Sequence, residues 1–211
     1  MVAVIHDPDL EQRLIAERQA DGSDRFDEVW EGVYNMAPMP NDEQQQLVAE
    51  FTTILTIVVK WQRLGVVLPG INVSNRRSDW QRNFRCPDVA VFLKHTKSEN
   101  RGTHWLGGPD LAIEIVSEGD RTFEKLPFYG EIGTRELLVV ERDPWRLRLY
   151  RLEGTHLVLA GESTAMDPIS LMSEVVPLSF KFQSDVAVEQ VDGDRPCIVI
   201  HSQEGSQQWT I

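Results

Sequence analysis

A chain of 211 residues, 41% hydrophobic and 26% charged, is long enough for one sizeable α/β domain with its own core and is too apolar to be a disordered polymer. No apolar run nears the roughly 20 residues of a membrane span, and MVAVIHDPDLEQ offers no basic segment followed by an apolar one, so a soluble cytoplasmic protein is expected. The net charge of −12 argues against a uniformly nucleic-acid-binding surface.

The charge is unevenly placed. Residues 1–50 hold 12 acids and 3 bases, whereas residues 60–101 hold 9 bases and 3 acids. A basic middle on an acidic protein is compatible with a local phosphate-facing surface, and equally with solvated loops and strand edges. Cys86 and Cys197 lie far apart and match no metal-ligand spacing, so each reads as a buried free thiol.

In chain order, DPDLEQRLIAERQA predicts a short helix from Asp7 to Ala20, with Leu10, Leu14 and Ile15 on one face. RFDEVWEGVYNMAP predicts a β-hairpin turning at Glu31-Gly32. EQQQLVAEFTTILTIVVKWQRLG carries the clearest helical pattern: Leu47, Val48, Phe51, Ile54, Leu55, Val58 and Val59 recur at i, i+3, i+4, with Gly65 as terminator. A strand at VVLPGINV, a polar Arg-rich connection and a buried strand at PDVAVFL follow. Lys94 to Gly108 reads as a loop, PDLAIEIVS as a second buried strand, and Arg121 to Ile132 as a helix. RELLVVERD is a third buried strand, and LRLYRL with HLVLAGES form a meander turning at Glu153-Gly154. Beyond Thr164, LMSEVVPLSF suits either a short helix or a strand, while VAVEQV and PCIVIH are strand-like.

The chemistry concentrates in Arg85–Val140. Glu114 stands inside the apolar run LAIEIV, where desolvating a carboxylate is costly unless a cation or hydrogen-bond donor compensates it. Asp88 opens the preceding buried strand, 26 residues earlier, a separation suited to neighbouring strands joined by a loop. Lys125 follows Glu114 by 11 residues, too far for the same strand but within reach if the next helix folds back. Two carboxylates and a lysine are the parts of a Mg²⁺ site that cleaves phosphodiesters. Asp120 reads as a helix cap and Asp110 as a structural acid. The five histidines show no zinc-site or catalytic spacing, and Trp80 and Trp105 read as packing residues before base-stacking ones.

The ordered segments EVWEGVYNMAP, CPDVAVF, PDLAIEIVS, DRTFEKLPFYGEIG and RELLVVERD resemble the Uma-type restriction endonuclease family of the PD-(D/E)XK nuclease superfamily. The resemblance spans about Leu14 to Leu152. It implies an α/β restriction-endonuclease-like fold: a mixed central sheet flanked by the Gln44–Gly65 and Arg121–Ile132 helices, with additional C-terminal strands. It implies cleavage of DNA phosphodiesters, with Asp88 and Glu114 holding Mg²⁺ or Mn²⁺ and Lys125 orienting the attacking water. In the superfamily the lysine stands two residues after the second acid; that place is Val116 here, and Lys125 matches a lysine moved onto the following helix. Glu28 matches an acidic hairpin position, and Gln44 stands where relatives often carry histidine. Glu28, Glu50 and Ser117 are candidates for supporting the site; Arg76, Arg77, Arg82 and Arg85 are candidates for contacting nucleic acid, which the resemblance makes double-stranded DNA. A homodimer is implied as well.

Residues 1–160 are expected to form the nuclease-like unit and 161–211 a β extension without independence. The competing reading, from a different class, is a catalytically weak or inactive nuclease-fold protein acting as a binding or regulatory module. The net charge and Val116 favour it; convergence of Asp88, Glu114 and Lys125 would favour the enzyme.

Overall fold

Why the chain folds as it does is clearest where strand and helix periods meet. The computed structural model describes residues 8–117, 119–183 and 195–211. It begins with α1 (Pro8–Asp21) and the hairpin β1 (Glu28–Trp30) and β2 (Val33–Asn35). Both turn residues take positive φ, Glu31 at 49° and Gly32 at 88°, the paired left-handed geometry that suits the twist of a two-residue hairpin. Asp7, the first residue expected of that first helix, and VAVEQV lie outside the described residues.

Helix α2 (Asp42–Leu55) starts where the Asn41 side chain accepts the Gln44 backbone N–H, and it buries Leu47, Phe51, Ile54 and Leu55. A π-helical turn, Thr56–Lys60, extends it and buries Val58 and Val59. The helical segment thus ends before Gly65, which instead opens β3 (Gly65–Pro69). A side chain at Gly65 would collide with the Phe92 carbonyl on the neighbouring strand, so close strand approach explains this glycine better than helix termination does.

The strands that follow are β4 (Val73–Ser74), β5 (Phe84–Arg85), β6 (Val89–Leu93), β7 (Glu99–Asn100), β8 (Trp105–Leu106) and β9 (Leu111–Ile115). A 3-10 turn (Thr122–Lys125) runs into α3 (Leu126–Glu131) and on to β10 (Glu136–Arg142), β11 (Trp145–Glu153) and β12 (His156–Ser163). The chain closes with β13 (Leu171–Met172), β14 (Leu178–Phe182), β15 (Ile198–Ser202) and β16 (Gln208–Thr210). LMSEVVPLSF therefore resolves into strands.

The central sheet has the order β12-β11-β10-β9-β6-β3; β9 and β10 are parallel and the other neighbours antiparallel. The 3-10 turn and α3 form the crossover that the parallel pair requires. Both faces of this sheet are covered, and the pleat sorts its residues cleanly. Val89, Val91, Leu111, Ile113, Ile115, Leu138 and Val140 pack with α2 and with Leu178, Phe180, Phe182, Ile198 and Ile200 of the C-terminal sheet. Ala90, Phe92, Ala112, Leu137 and Val139 pack on the opposite side with Phe128, Tyr129 and Trp105. Each fully buried aliphatic side chain contributes about 1.5–3 kcal/mol, which fixes the strand register.

A second sheet, β2-β1-β5-β4-β8-β7, brings the hairpin together with parts of the Arg-rich connection and of the Lys94–Gly108 segment. That segment contains β7 and β8 and is not simply a loop. Trp105 stacks on Phe92 at 3.7 Å and Trp80 on His104 at 4.6 Å, so both tryptophans are packing residues. Cys86 and Cys197 are buried free thiols.

Candidate active site

Glu114 owes its position to the β pleat. Its neighbours Ile113 and Ile115 face α2, so Glu114 faces the other way, toward the hairpin and α3. β6 runs antiparallel to β9 with Val89 opposite Ile113, and one further step sets Asp88 beside Glu114 at the carboxyl end of β9. There the Asp88 carboxylate accepts the Ile115 N–H at 2.7 Å and the Gln44 side-chain amide at 3.2 Å.

Lys125 comes back to this point because the 3-10 turn folds across the end of β9. Its Nζ lies 3.0 Å from Glu114 Oε2 and 3.0 Å from Glu28 Oε1. Tyr129, four residues on and so one turn along the same face, donates its hydroxyl to Glu114 Oε1. Glu28 in turn accepts the Cys86 N–H at 2.9 Å and the Trp30 indole N–H at 2.7 Å. Glu114 is 2% exposed and Lys125 7%. Asp88, Glu114, Lys125 and Glu28 line a cavity of about 520 Å³, together with Gln44, Ser117, Asp120 and Arg121.

Burial dominates the electrostatics. It pushes the Asp88 carboxyl up to about 6, although the Ile115 N–H and Lys125 favour the charged form. Burial also raises Glu114, against the pull of Lys125 and with the push of Asp88 and Glu28. For Lys125, burial favours the neutral amine but the attraction of Glu114, Glu28 and Asp120 outweighs it, so its pKa rises well above the usual value and it stays an ammonium.

These residues fit a divalent cation. Three buried or half-buried carboxylates face one ammonium, an excess of negative charge in a place where water screens it poorly. Each oxygen of Asp88 and Glu114 has one protein donor and a lone pair to spare. Among the described residues no three His, Cys, Asp or Glu side chains are set to ligate together, so the protein would supply two carboxylates and leave the rest to water or substrate. Mg²⁺ favours that arrangement.

The other candidates fall in several places. Ser117 lines the cavity: its hydroxyl donates to Gln44 Oε1 at 2.8 Å and accepts from Arg142 at 3.0 Å. Arg142 also holds Asn41 and Glu43 at 2.9 Å, tying the end of β10 to the start of α2. Glu50 does not line the cavity and lies 3.7 Å from Arg195. Arg76 pairs with Glu31 at 2.6 Å and Arg77 with Glu99 at 2.9 Å, both on the second sheet. Arg82 lies at the hairpin turn, its carbonyl accepting the Gly32 N–H. Arg85 is buried, its guanidinium 4.4 Å over Trp30 and 4.2 Å over Phe128.

Asp120 does not cap the helix. Arg121 holds the cap position without a side-chain cap bond, and Asp120 faces the cavity instead. Asp110 is structural: it accepts the Leu93 N–H at 2.8 Å and pairs with Arg135. One contributor escaped the sequence: Tyr129, which could have been found from its four-residue spacing to Lys125. Gln44 was marked only as the place of a histidine in relatives, and its contact with Asp88, 44 residues away, came from the fold.

Residues 11–185 match the Uma2 family, described as "Putative restriction endonuclease". The architecture recurs in the crystal structure of a "putative nuclease belonging to DUF820" from Anabaena variabilis ATCC 29413. The two are 21% identical, with a TM-score of 0.52 over 63% of this chain and 75% of that one, a likeness of fold. No curated protein matches the chain.

Proposed function

This chain belongs to the Uma2 family of putative restriction endonucleases, and from that premise we propose that it is a metal-dependent endonuclease hydrolysing DNA phosphodiester bonds. The observation that carries the reading is the meeting of Asp88, Glu114 and Lys125 on one cavity wall, with Glu28 on the far side of the lysine. Asp88 and Glu114 would hold Mg²⁺ or Mn²⁺. Such an ion, when bound, lowers the pKa of water and neutralises charge on the phosphate.

The chain's own residues supply orientation and a fixed positive charge. The Ile115 N–H and Gln44 hold the Asp88 carboxylate, and Tyr129 with Lys125 holds that of Glu114. Lys125 has three N–H donors, two of them directed at Glu28 and Glu114. The third is left for the attacking water or a phosphate oxygen. Because Lys125 remains protonated it orients and offsets charge, and it does not act as the general base. A homodimer accompanies this reading, as the family implies.

Incubating purified protein with plasmid and oligonucleotide DNA, with Mg²⁺ or Mn²⁺, tests it. Strand scission by the wild type, lost in Glu114→Gln, is expected. Absence of scission with either ion, combined with unchanged Mn²⁺ affinity in Asp88→Asn by calorimetry, would sink the enzyme reading. The binding-module reading, which the net charge of −12 favours, would then stand.

A further inference from the structure

The hairpin brings more to the cavity than Glu28. Glu28 and Asn35 stand directly opposite each other in the β1–β2 register, which sets their Cβ atoms about 5 Å apart. Trp30, two residues on from Glu28, shares its face of the strand. All three line the cavity. Glu28 and Asn35 each receive a cation from the segment that crosses the end of β9. Glu28 holds the Lys125 ammonium at 3.0 Å, and Asn35 Oδ1 accepts from Arg121 Nη1 at 2.9 Å. The Asn35 amide is itself fixed, since its Nδ2 donates to the Val33 carbonyl at 2.9 Å. The Arg121 guanidinium also lies 4.3 Å over the Trp30 ring, whose indole N–H is fixed on Glu28. Two cations are thus held side by side, Lys125 buried and Arg121 33% exposed.

We infer that Arg121 is a DNA-contacting residue of this site, binding the backbone phosphate next to the one that Lys125 meets. Glu124 holds the same guanidinium edge until a phosphate displaces it. The inference rests on the nuclease reading for the identity of the polyanion; the preparation of the guanidinium is a matter of geometry.

Arg121 is anchored by neutral groups and occupied by a weak anionic one. Asn35 and Trp30 carry no charge, so they fix the guanidinium without cancelling its own. Glu124 takes its Nε and Nη2 at 2.9 Å and 2.5 Å, the two-pronged geometry in which arginine also grips phosphate. That carboxylate is 57% exposed, and exposed ion pairs are held loosely. A phosphate taking its place keeps the hydrogen bonds and returns Glu124 to water. Three of the five guanidinium N–H donors are used in these bonds. Lys125 differs, because its charge is already shared by two buried acids, Glu28 and Glu114. The third cation lining the cavity, Arg25, lies over Phe26 at 5.3 Å and outside the hairpin pairing.

Fluorescence anisotropy with a labelled DNA duplex of about twenty base pairs, in Ca²⁺ buffer over a series of salt concentrations, tests it. Arg121→Gln is expected to weaken binding about tenfold and to lower the salt slope by about 1, as loss of one phosphate contact does. Glu124→Gln should tighten binding about threefold, and that gain should vanish when Arg121→Gln is also present. Glu17→Gln, which removes a similarly exposed acid from the Arg13–Glu17 pair on α1, should change nothing. Four results would each overturn the inference: wild-type binding by Arg121→Gln, a Glu124→Gln gain that persists without Arg121, an equal gain from Glu17→Gln, or no duplex binding by the wild type. If Arg121→Gln does not fold, the comparison of Glu124→Gln with Glu17→Gln decides. The readout needs no cleavage: a protein that shows the expected binding pattern and cuts nothing loses the nuclease reading alone. One that cuts DNA but binds it equally well as Arg121→Gln loses the Arg121 inference alone.

Discussion

Two buried glutamates on adjacent strands have opposite fates. Glu114 sits near the carboxyl end of β9, and Glu136 opens its parallel neighbour β10; they are 2% and 1% exposed. Glu136 is surrounded by donors. It takes the Arg151 guanidinium at 3.0 Å, the Ser173 hydroxyl at 2.5 Å and the Glu174 backbone N–H at 2.9 Å. It joins the central sheet to the C-terminal strands. Glu114 has donors too, but shares Lys125 with Glu28, lies beside Asp88 and borders a cavity. Burial alone does not mark a functional acid; burial together with other acids and open space does.

The largest effect should separate the two. Glu114→Gln keeps the shape and should lower strand cleavage about a thousandfold while the fold persists, whereas Glu136→Gln should leave cleavage per folded molecule unchanged. Rates normalised to the folded fraction read this out, and equal losses in both variants would erase the contrast.

Stability should reverse it. Glu136→Ala strands the Ser173 hydroxyl, the Arg151 charge and the Glu174 N–H, and should cost about 3 kcal/mol in urea unfolding. Glu114→Gln should cost far less, since it removes an unfavourable buried charge along with a favourable contact.

Asp88 adds a pH signature. Its carboxyl is raised in the folded chain to about 6 from the ordinary 3.8, so the native state holds the proton more tightly than the unfolded state. This contribution to stability is full below about pH 4 and falls away as pH rises through about 6, by at most about 3 kcal/mol. Metal-free Asp88→Asn should therefore be more stable than wild type at pH 7 and lose less stability between pH 4 and 6. Urea titrations with EDTA at several pH values check the sign; a wild type that gains stability across this window would contradict it.

The smallest expected effect is at Gln44. Gln44→Leu removes one hydrogen bond to Asp88 and the acceptor of the Ser117 hydroxyl. It should cost about 1 kcal/mol of stability and lower cleavage roughly tenfold, with weaker Mn²⁺ binding in calorimetry. Unchanged Mn²⁺ affinity would show that Asp88 needs no such support.

Much of this was legible in the sequence. The i, i+3, i+4 series from Leu47 to Val59 marks α2, because a helix covering a sheet must bury one continuous stripe. The runs VAVFL, LAIEI and ELLVVER mark β6, β9 and β10, because strands covered on both faces carry few polar residues, and that contrast made Glu114 conspicuous. The second sheet was not legible. Its strands β4, β5, β7 and β8 have two residues each, too short for any period, and they exist only because the hairpin and the segments on either side of β6 meet. The end of α2 was misplaced for a related reason, since Gly65 answers to a strand that comes nearly 30 residues later.

The sequence by itself determined the helix–sheet core, the order of the motifs and the two carboxylates, because periodicity and the cost of burying charge are local properties. Tertiary structure alone decided what surrounds those carboxylates. It brought Lys125 between Glu114 and Glu28, enlisted Gln44 and Tyr129, and moved Glu50 and Arg85 away from the cavity. Contacts between elements far apart in the chain leave no period to read, and an active site is made of such contacts.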